Sequence, residues 1–233
     1  MESGPLSAPS FQPFGEKVIP FLHVTTQLED RVHDNLLQEI GGQGFPSMRF
    51  MDGDGNVLGK PSANTVAAFE SSLVDILHVQ NLEQRIEAGE EGLEEDLFLA
   101  KLRMGVIPFV FAKAKAATFD SFTKEEAAEV ARLLLNLEVK SLIAPRKNDA
   151  EQAQAMTRLL EMLAAETIPS GEVLGDFWYH LLKEATKVRD IDLFERSLQG
   201  MKVFYGEDEE TKNFFKQQDL RLLEMRTEAE AGN

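Results

Sequence analysis

The run Gly44-Phe45-Pro46-Ser47-Met48-Arg49-Phe50-Met51-Asp52-Gly53-Asp54-Gly55-Asn56-Val57-Leu58-Gly59 constrains the fold more than any other stretch of the chain. Met48 and Phe50 alternate with Ser47, Arg49 and Met51, which is the period of a half-buried strand. Asp-Gly next to Gly-Asn follows, and these residues tolerate the positive φ that a tight hairpin turn demands. The run therefore predicts a proline-entered strand, a turn over Asp52-Gly53-Asp54-Gly55-Asn56 and a second strand at Val57-Leu58.

The flanking sequence predicts what this hairpin packs with. Residues Met1 to Gly15 are punctuated by proline and glycine among small polar residues and read as an extended lead-in. Val18-Ile19-Pro20-Phe21-Leu22-His23-Val24-Thr25 is rich in β-branched and aromatic residues and reads as a strand, with Pro20 marking an edge or an irregular start. Between it and the hairpin, Val32, Leu36, Leu37 and Ile40 share one helical face over Arg31 to Ile40, and Gly41-Gly42 ends that helix. After the hairpin, Asn64 is a candidate N-cap for a helix carrying Val66, Phe69, Leu73, Ile76 and Leu77 on one side. The expected unit is β-α-β-β-α.

Beyond about His78, helical periodicity replaces strand patterning. Helices are expected at Leu82 to Ala88, Leu93 to Met104, Ile107 to Thr118, Lys124 to Ala144, Ala150 to Glu166, Gly171 to Val188, Ile191 to Phe204 and Glu209 to Met225. Their connections are short, which makes neighbours antiparallel hairpins. Across Asp190, Phe194, Leu198 and Phe204 are expected to face Phe177, Leu181 and Ala185.

The strand, helix and proline-entered hairpin together resemble the second half of a thioredoxin fold, over about residues 11 to 80. In that family the Gly-hydrophobic-Pro step carries a cis proline beside a reactive Cys-x-x-Cys. The resemblance implies that the Phe45–Pro46 bond is cis and that Phe45 and Pro46 present backbone to a partner peptide. It also implies a central strand and redox helix that this chain lacks. Ser3-Gly4-Pro5-Leu6 has the outline of Cys-Gly-Pro-Cys without the sulfurs, and no strand precedes it. The gap beside the Pro46 strand is expected to be filled by a strand from another chain, with direct pairing of the Val18 and Pro46 strands as the competing outcome. The helical remainder resembles a tetratricopeptide-like array in pattern, although no period near 34 residues repeats cleanly.

The fold expected from sequence is α+β. A partial thioredoxin-like β-α-β-β-α domain occupies residues 16–80 behind the lead-in of residues 1–15, and an all-α array of antiparallel helical hairpins occupies residues 81–233. Apolar residues make up 43% of the chain and charged residues 27%, a balance that suits globular domains rather than disorder. No apolar run reaches the roughly 18 residues that a membrane span needs. The net charge of −16 would repel a phosphate backbone, so nucleic acid is not an expected partner. A soluble, cytoplasmic protein is the expectation for the chain as it stands; a leader upstream of Met1 would make it periplasmic or secreted.

Chemistry-bearing patterns are sparse. The chain contains no cysteine, so it has no thiolate nucleophile or metal ligand. Gly-x-Ser-x-Gly, phosphate-loop and dinucleotide fingerprints are absent. His23, His33, His78 and His180 are scattered without metal-ligand spacing. Asp52-Gly53-Asp54-Gly55-Asn56 opens like a calcium loop, but Val57 stands where the turn glycine belongs and no Glu occupies the twelfth position. Neither metal nor cofactor is expected, and no catalytic residue is assigned. Phe177-Trp178-Tyr179-His180 is the densest aromatic cluster; core packing is its ordinary role, while an exposed Trp178 or Tyr179 would anchor a partner. The partner-binding candidates are Phe45, Pro46, Trp178 and Tyr179.

The expected function is protein interaction, with a second copy or another protein as partner. The alternative is a thiol-disulfide oxidoreductase whose Cys-x-x-Cys lies upstream of Met1. Residues 1–233 are predicted to reduce no insulin, because disulfide exchange needs an attacking thiolate. Turnover above the buffer blank by purified protein would overturn that expectation.

Overall fold

The computed structural model describes residues 4–23, 35–40, 42, 45–146, 148–206 and 209–231. The protein is mostly α, about 67% helical, with one two-stranded antiparallel sheet among the described residues. It divides into two compact units, Met1–Ile107 and Pro108–Asn233. The first contains α1 (Phe11–Gly15), α2 (Leu36–Glu39), β1 (Phe50–Met51), β2 (Val57–Gly59), α3 (Val66–Glu87) and α4 (Glu94–Met104). The second contains α5 (Phe109–Ala116), α6 (Lys124–Ile143), α7 (Asp149–Ala164), α8 (Val173–Val188), α9 (Ile191–Tyr205) and α10 (Glu209–Ala231).

The hairpin forms where its turn chemistry demands, and it is short. β1 and β2 pair Phe50 with Gly59 and Met51 with Val57, with an irregularity between Phe50 and Met51. Asp52 organises the turn: one carboxylate oxygen accepts from the backbone N–H groups of Asp54 (3.0 Å) and Asn56 (2.8 Å), and the other accepts from the Asn56 side-chain amide (2.8 Å). Gly55, at φ +86°, supplies the left-handed step. The acidic cluster with a calcium-loop outline is thus a self-satisfied β-turn.

The thioredoxin-like β-α-β-β-α architecture is not what the chain adopts. Residues 18–23 of the first expected strand form no strand, and Val24 and Thr25 lie outside the described residues. Ile19, Phe21 and Leu22 are exposed, Ile19 at 96%. A β-rich run becomes a strand only when a neighbouring ladder takes its backbone groups, and among the described residues β1 and β2 pair only with each other. The direct pairing of the Val18 and Pro46 strands is likewise absent among the described residues, where β1 pairs with β2 alone. The expected helix over Arg31 to Ile40 is described only as α2, its first residues lying outside the described set. The Phe45–Pro46 bond is cis.

Among the described residues, one aromatic and one aliphatic cluster contribute to the core of the first unit. The residues expected as an extended lead-in instead form a 3-10 turn at Pro5–Ser7 and then α1. Phe14 of α1 is buried against Phe69 of α3, with ring centroids 5.7 Å apart, and lies 6.4 Å from Phe50 of β1. Burial of each such ring stabilises by about 1.5–3 kcal/mol, which outweighs the weak propensity of a five-residue helix. Thr65, one residue beyond the expected Asn64, caps α3 by accepting from the Ala68 N–H. The helix then runs unbroken through residue 80 to Glu87, merging the helix expected from Leu82 with the preceding one. A second cluster, Val79, Leu82 and Ala100 with Leu93, Leu97 and Met104, joins α3 to α4.

In the second unit the helix boundaries follow local caps. Thr123 and Glu126 form a reciprocal capping box at α6, Asn148 accepts from the Glu151 N–H at α7, and Asp190 from the Leu193 N–H at α9. The core gathers Val139 of α6, Leu159, Met162 and Leu163 of α7, Phe177 and Leu181 of α8, and Phe194 and Leu198 of α9. α8 and α9, joined through Arg189-Asp190, form the most extensive helix pair among the described residues. α10 adds Phe215, Leu222 and Met225 to this core and packs along α9. Lys202–Asp219 (2.6 Å) and Arg226–Glu195 (2.6 Å) bridge the same two helices with antiparallel register. These pairs are half-exposed, so each contributes at most about 1 kcal/mol and marks register more than stability.

The Asp52 carboxyl is held below the ordinary aspartate range, first by the Asn56 side-chain amide and then by the Asn56 backbone N–H. A depressed folded value means that its stabilisation is present above the ordinary range and is lost as pH falls through the lowered value. The Asn56 amide resonance is expected to titrate with a midpoint below that of an unstructured aspartate, and the titration should vanish in Asp52→Ala. A midpoint at the ordinary value would show that the turn does not depend on this carboxylate.

Candidate functional site

Four consecutive residues of α8 point in directions about 100° apart, so Phe177-Trp178-Tyr179-His180 cannot all face one side. Phe177 is fully buried and sits 5.2 Å from Trp178, centroid to centroid, edge to face. Trp178, expected from the sequence to anchor a partner only if exposed, is 9% exposed and packs in the core. Tyr179 is 41% exposed. His180 is half-buried, with Nδ1 2.9 Å from the Asp176 carbonyl oxygen.

Two glycines allow α8 and α9 to approach closely. The Trp178 indole lies where a Cβ on Gly200 would be, and a Cβ on Gly175 would come within 2.7 Å of Phe204 Cε1 and 2.9 Å of Tyr205 Oη. Each helix therefore offers a gap that an aromatic ring of the other fills. Phe204 stacks edge to face on Tyr205 at 4.8 Å, Tyr205 stands 6.3 Å from Phe215, and Phe214 lies 5.5 Å from Phe215.

This packing builds an open groove lined by Asp176, Tyr179, Met201, Tyr205, Thr211, Phe214 and Phe215. Both tyrosines of the chain are in it. Met201 and Phe215 are buried and form its floor, while Tyr179 and Tyr205, 41% and 39% exposed, stand at the surface. Lys183 Nζ is 5.7 Å from the Tyr179 centroid, within cation–π range. A second groove shares Phe215 and is lined by Lys202, Gly206, Lys212, Lys216, Asp219, Leu220 and Leu223.

The other two candidates lie in the first unit. Pro46 is exposed and Phe45 is 71% exposed on the coil that enters β1. Phe45 and Pro46 are thus exposed in the first unit and Tyr179 is exposed in the second, whereas Trp178 packs in the second unit's core. Sequence reasoning missed every groove residue but Tyr179, and of these Tyr205 and Phe214 supply its further aromatic walls. Their signal is a pair of aromatic doublets, Phe204-Tyr205 and Phe214-Phe215, flanking the glycine and acidic residues between α9 and α10.

No group of three or more His, Asp or Glu side chains is placed to hold a metal ion among the described residues, and no described helix is long and apolar enough to cross a membrane. Compared with models of known protein families, with curated proteins and with solved structures, the chain matches none.

Gly200→Ala is expected to lower the melting temperature of the second unit, because the Trp178 ring must move or the helices must part, and such overpacking costs about 1–3 kcal/mol. Trp178 is the single tryptophan of the chain, so its emission should shift with the substitution. Unchanged emission and an unchanged melting temperature would show that α8 and α9 do not meet there.

Proposed function

We propose that this chain is a non-catalytic protein-interaction component that binds a partner segment through the tyrosine-lined groove of its second unit. The observation that carries the reading is the exposure of Tyr179 and Tyr205 in one groove whose floor and backing are fixed by Met201, Phe215 and the Trp178–Gly200 contact. Tyrosine contributes a large amphipathic contact at little rotamer cost, and rings already held in place lose little freedom on binding. Phe45, exposed at the entry to the hairpin, offers the first unit an apolar contact of its own. The lack of cysteine supports the non-catalytic half of the proposal against a thiol-based one.

The test is site-specific photo-crosslinking in extract of the source cells, with p-benzoylphenylalanine at position 179 or at Arg132, an exposed residue of α6. An adduct of fixed mass at 179, absent at 132 and competed away by unlabelled wild-type chain, is the expected result; an added mass equal to the chain itself would make the partner a second copy. No adduct at 179, or the same adducts at both positions, would overturn the proposal.

A further inference from the structure

We propose that the tyrosine groove receives an arginine side chain of the partner segment, an inference that rests on the interaction reading above. Asp176 is the one charged residue among the described residues lining the groove. Its carboxylate is exposed on the first turn of α8 and makes no ion pair or side-chain hydrogen bond with any described residue. Tyr179, Tyr205 and Phe214 line the same groove. An unpaired carboxylate among aromatic rings is the complement of an organic cation: the rings attract it through their quadrupoles and the carboxylate fixes its position.

Between the two cationic side chains, the geometry favours arginine. A guanidinium is planar, so it stacks on a tyrosine ring while its N–H fork points at a carboxylate, whereas an ammonium is a compact, strongly hydrated charge. Lys183 Nζ already stands 5.7 Å from the Tyr179 centroid, so the ring is within reach of a cation and an incoming guanidinium competes with that ammonium for it. The chain's net charge of −16 adds a long-range field that steers a basic segment toward it. The neighbouring groove is different in kind, because its Asp219 is paired with Lys202.

Incorporation of 3-fluorotyrosine into the full chain tests this directly, since its only two tyrosines both line the groove and yield two ¹⁹F resonances. Titration with N-acetylarginine amide should move both resonances saturably, and N-acetylcitrulline amide at matched ionic strength should move neither. Asp176→Asn should weaken the arginine response about tenfold, and Asp176→Glu, which keeps the charge, should retain it. No saturable movement, an equal response to citrulline or an unchanged response in Asp176→Asn would overturn the inference. If arginine fails while the competed crosslink at position 179 persists, the arginine assignment falls and the interaction reading stands. If arginine binds and the crosslink is absent, the cation site stands and the interaction reading falls.

Discussion

The close approach of α8 and α9 is the constraint on which the second unit depends. Gly175 and Gly200 have no Cβ, and the space they leave is filled by Phe204, Tyr205 and Trp178 from the facing helix. Ring packing against bare backbone brings the two helices together, and Phe177, Leu181 and Ala185 of α8 and Phe194 of α9 are completely buried in the core they share with α6, α7 and α10. Tyr205 is part of this lock and also part of the groove, so the geometry of the binding surface is inherited from the core. α10 then completes the surface by adding Phe214 and Phe215.

The first unit is built on different terms. Its sheet has two short strands, and a lone two-stranded hairpin is marginal in water. Stability comes from what the hairpin leans on: Phe50 meets Phe14, which in turn meets Phe69, and Gly59 sits within van der Waals reach of Ile76 of α3 and Met104 of α4. The Asp52 turn holds the hairpin closed, and the long α3 supplies the packing surface that a larger sheet would otherwise share. Exposed apolar residues at Ile19, Phe21 and Phe45 mark where a sheet-forming composition meets no sheet.

The two units also divide the functional reading. Aromatic exposure alone is common on protein surfaces and signifies little. What distinguishes the groove of the second unit is the combination of exposed rings, a buried floor and a carboxylate that has no ion-pair partner among the described residues. Phe45 has exposure without such a frame, which is why the groove carries the proposal and the hairpin entry supplements it.

Where a feature depends on near neighbours in the chain, it was legible. The hairpin turn follows from Asp52-Gly53-Asp54-Gly55-Asn56 and the helices of the second unit from apolar residues recurring at helical spacing, with observed bounds a few residues from the expected ones; the caps at Thr123, Asn148 and Asp190 are equally local, although none was singled out as a cap. That Trp178 or Tyr179 would reach the surface was legible, because four successive helical residues must span all faces; which of the two does so was not. The fate of Val18 to His23 was not legible, since β-propensity describes a side chain's fit to a sheet and not whether a sheet is present. Nor could periodicity say that Trp178 is buried against Gly200, or that Tyr205 and Phe214 join Tyr179. Those facts depend on which helices meet and how closely. Local sequence therefore determined the turns, caps and helical segments, whose hydrogen bonds close within a few residues. Tertiary structure alone decided the sheet's extent, the burial of Trp178 and the assembly of the groove, because each rests on contacts between residues far apart in the chain.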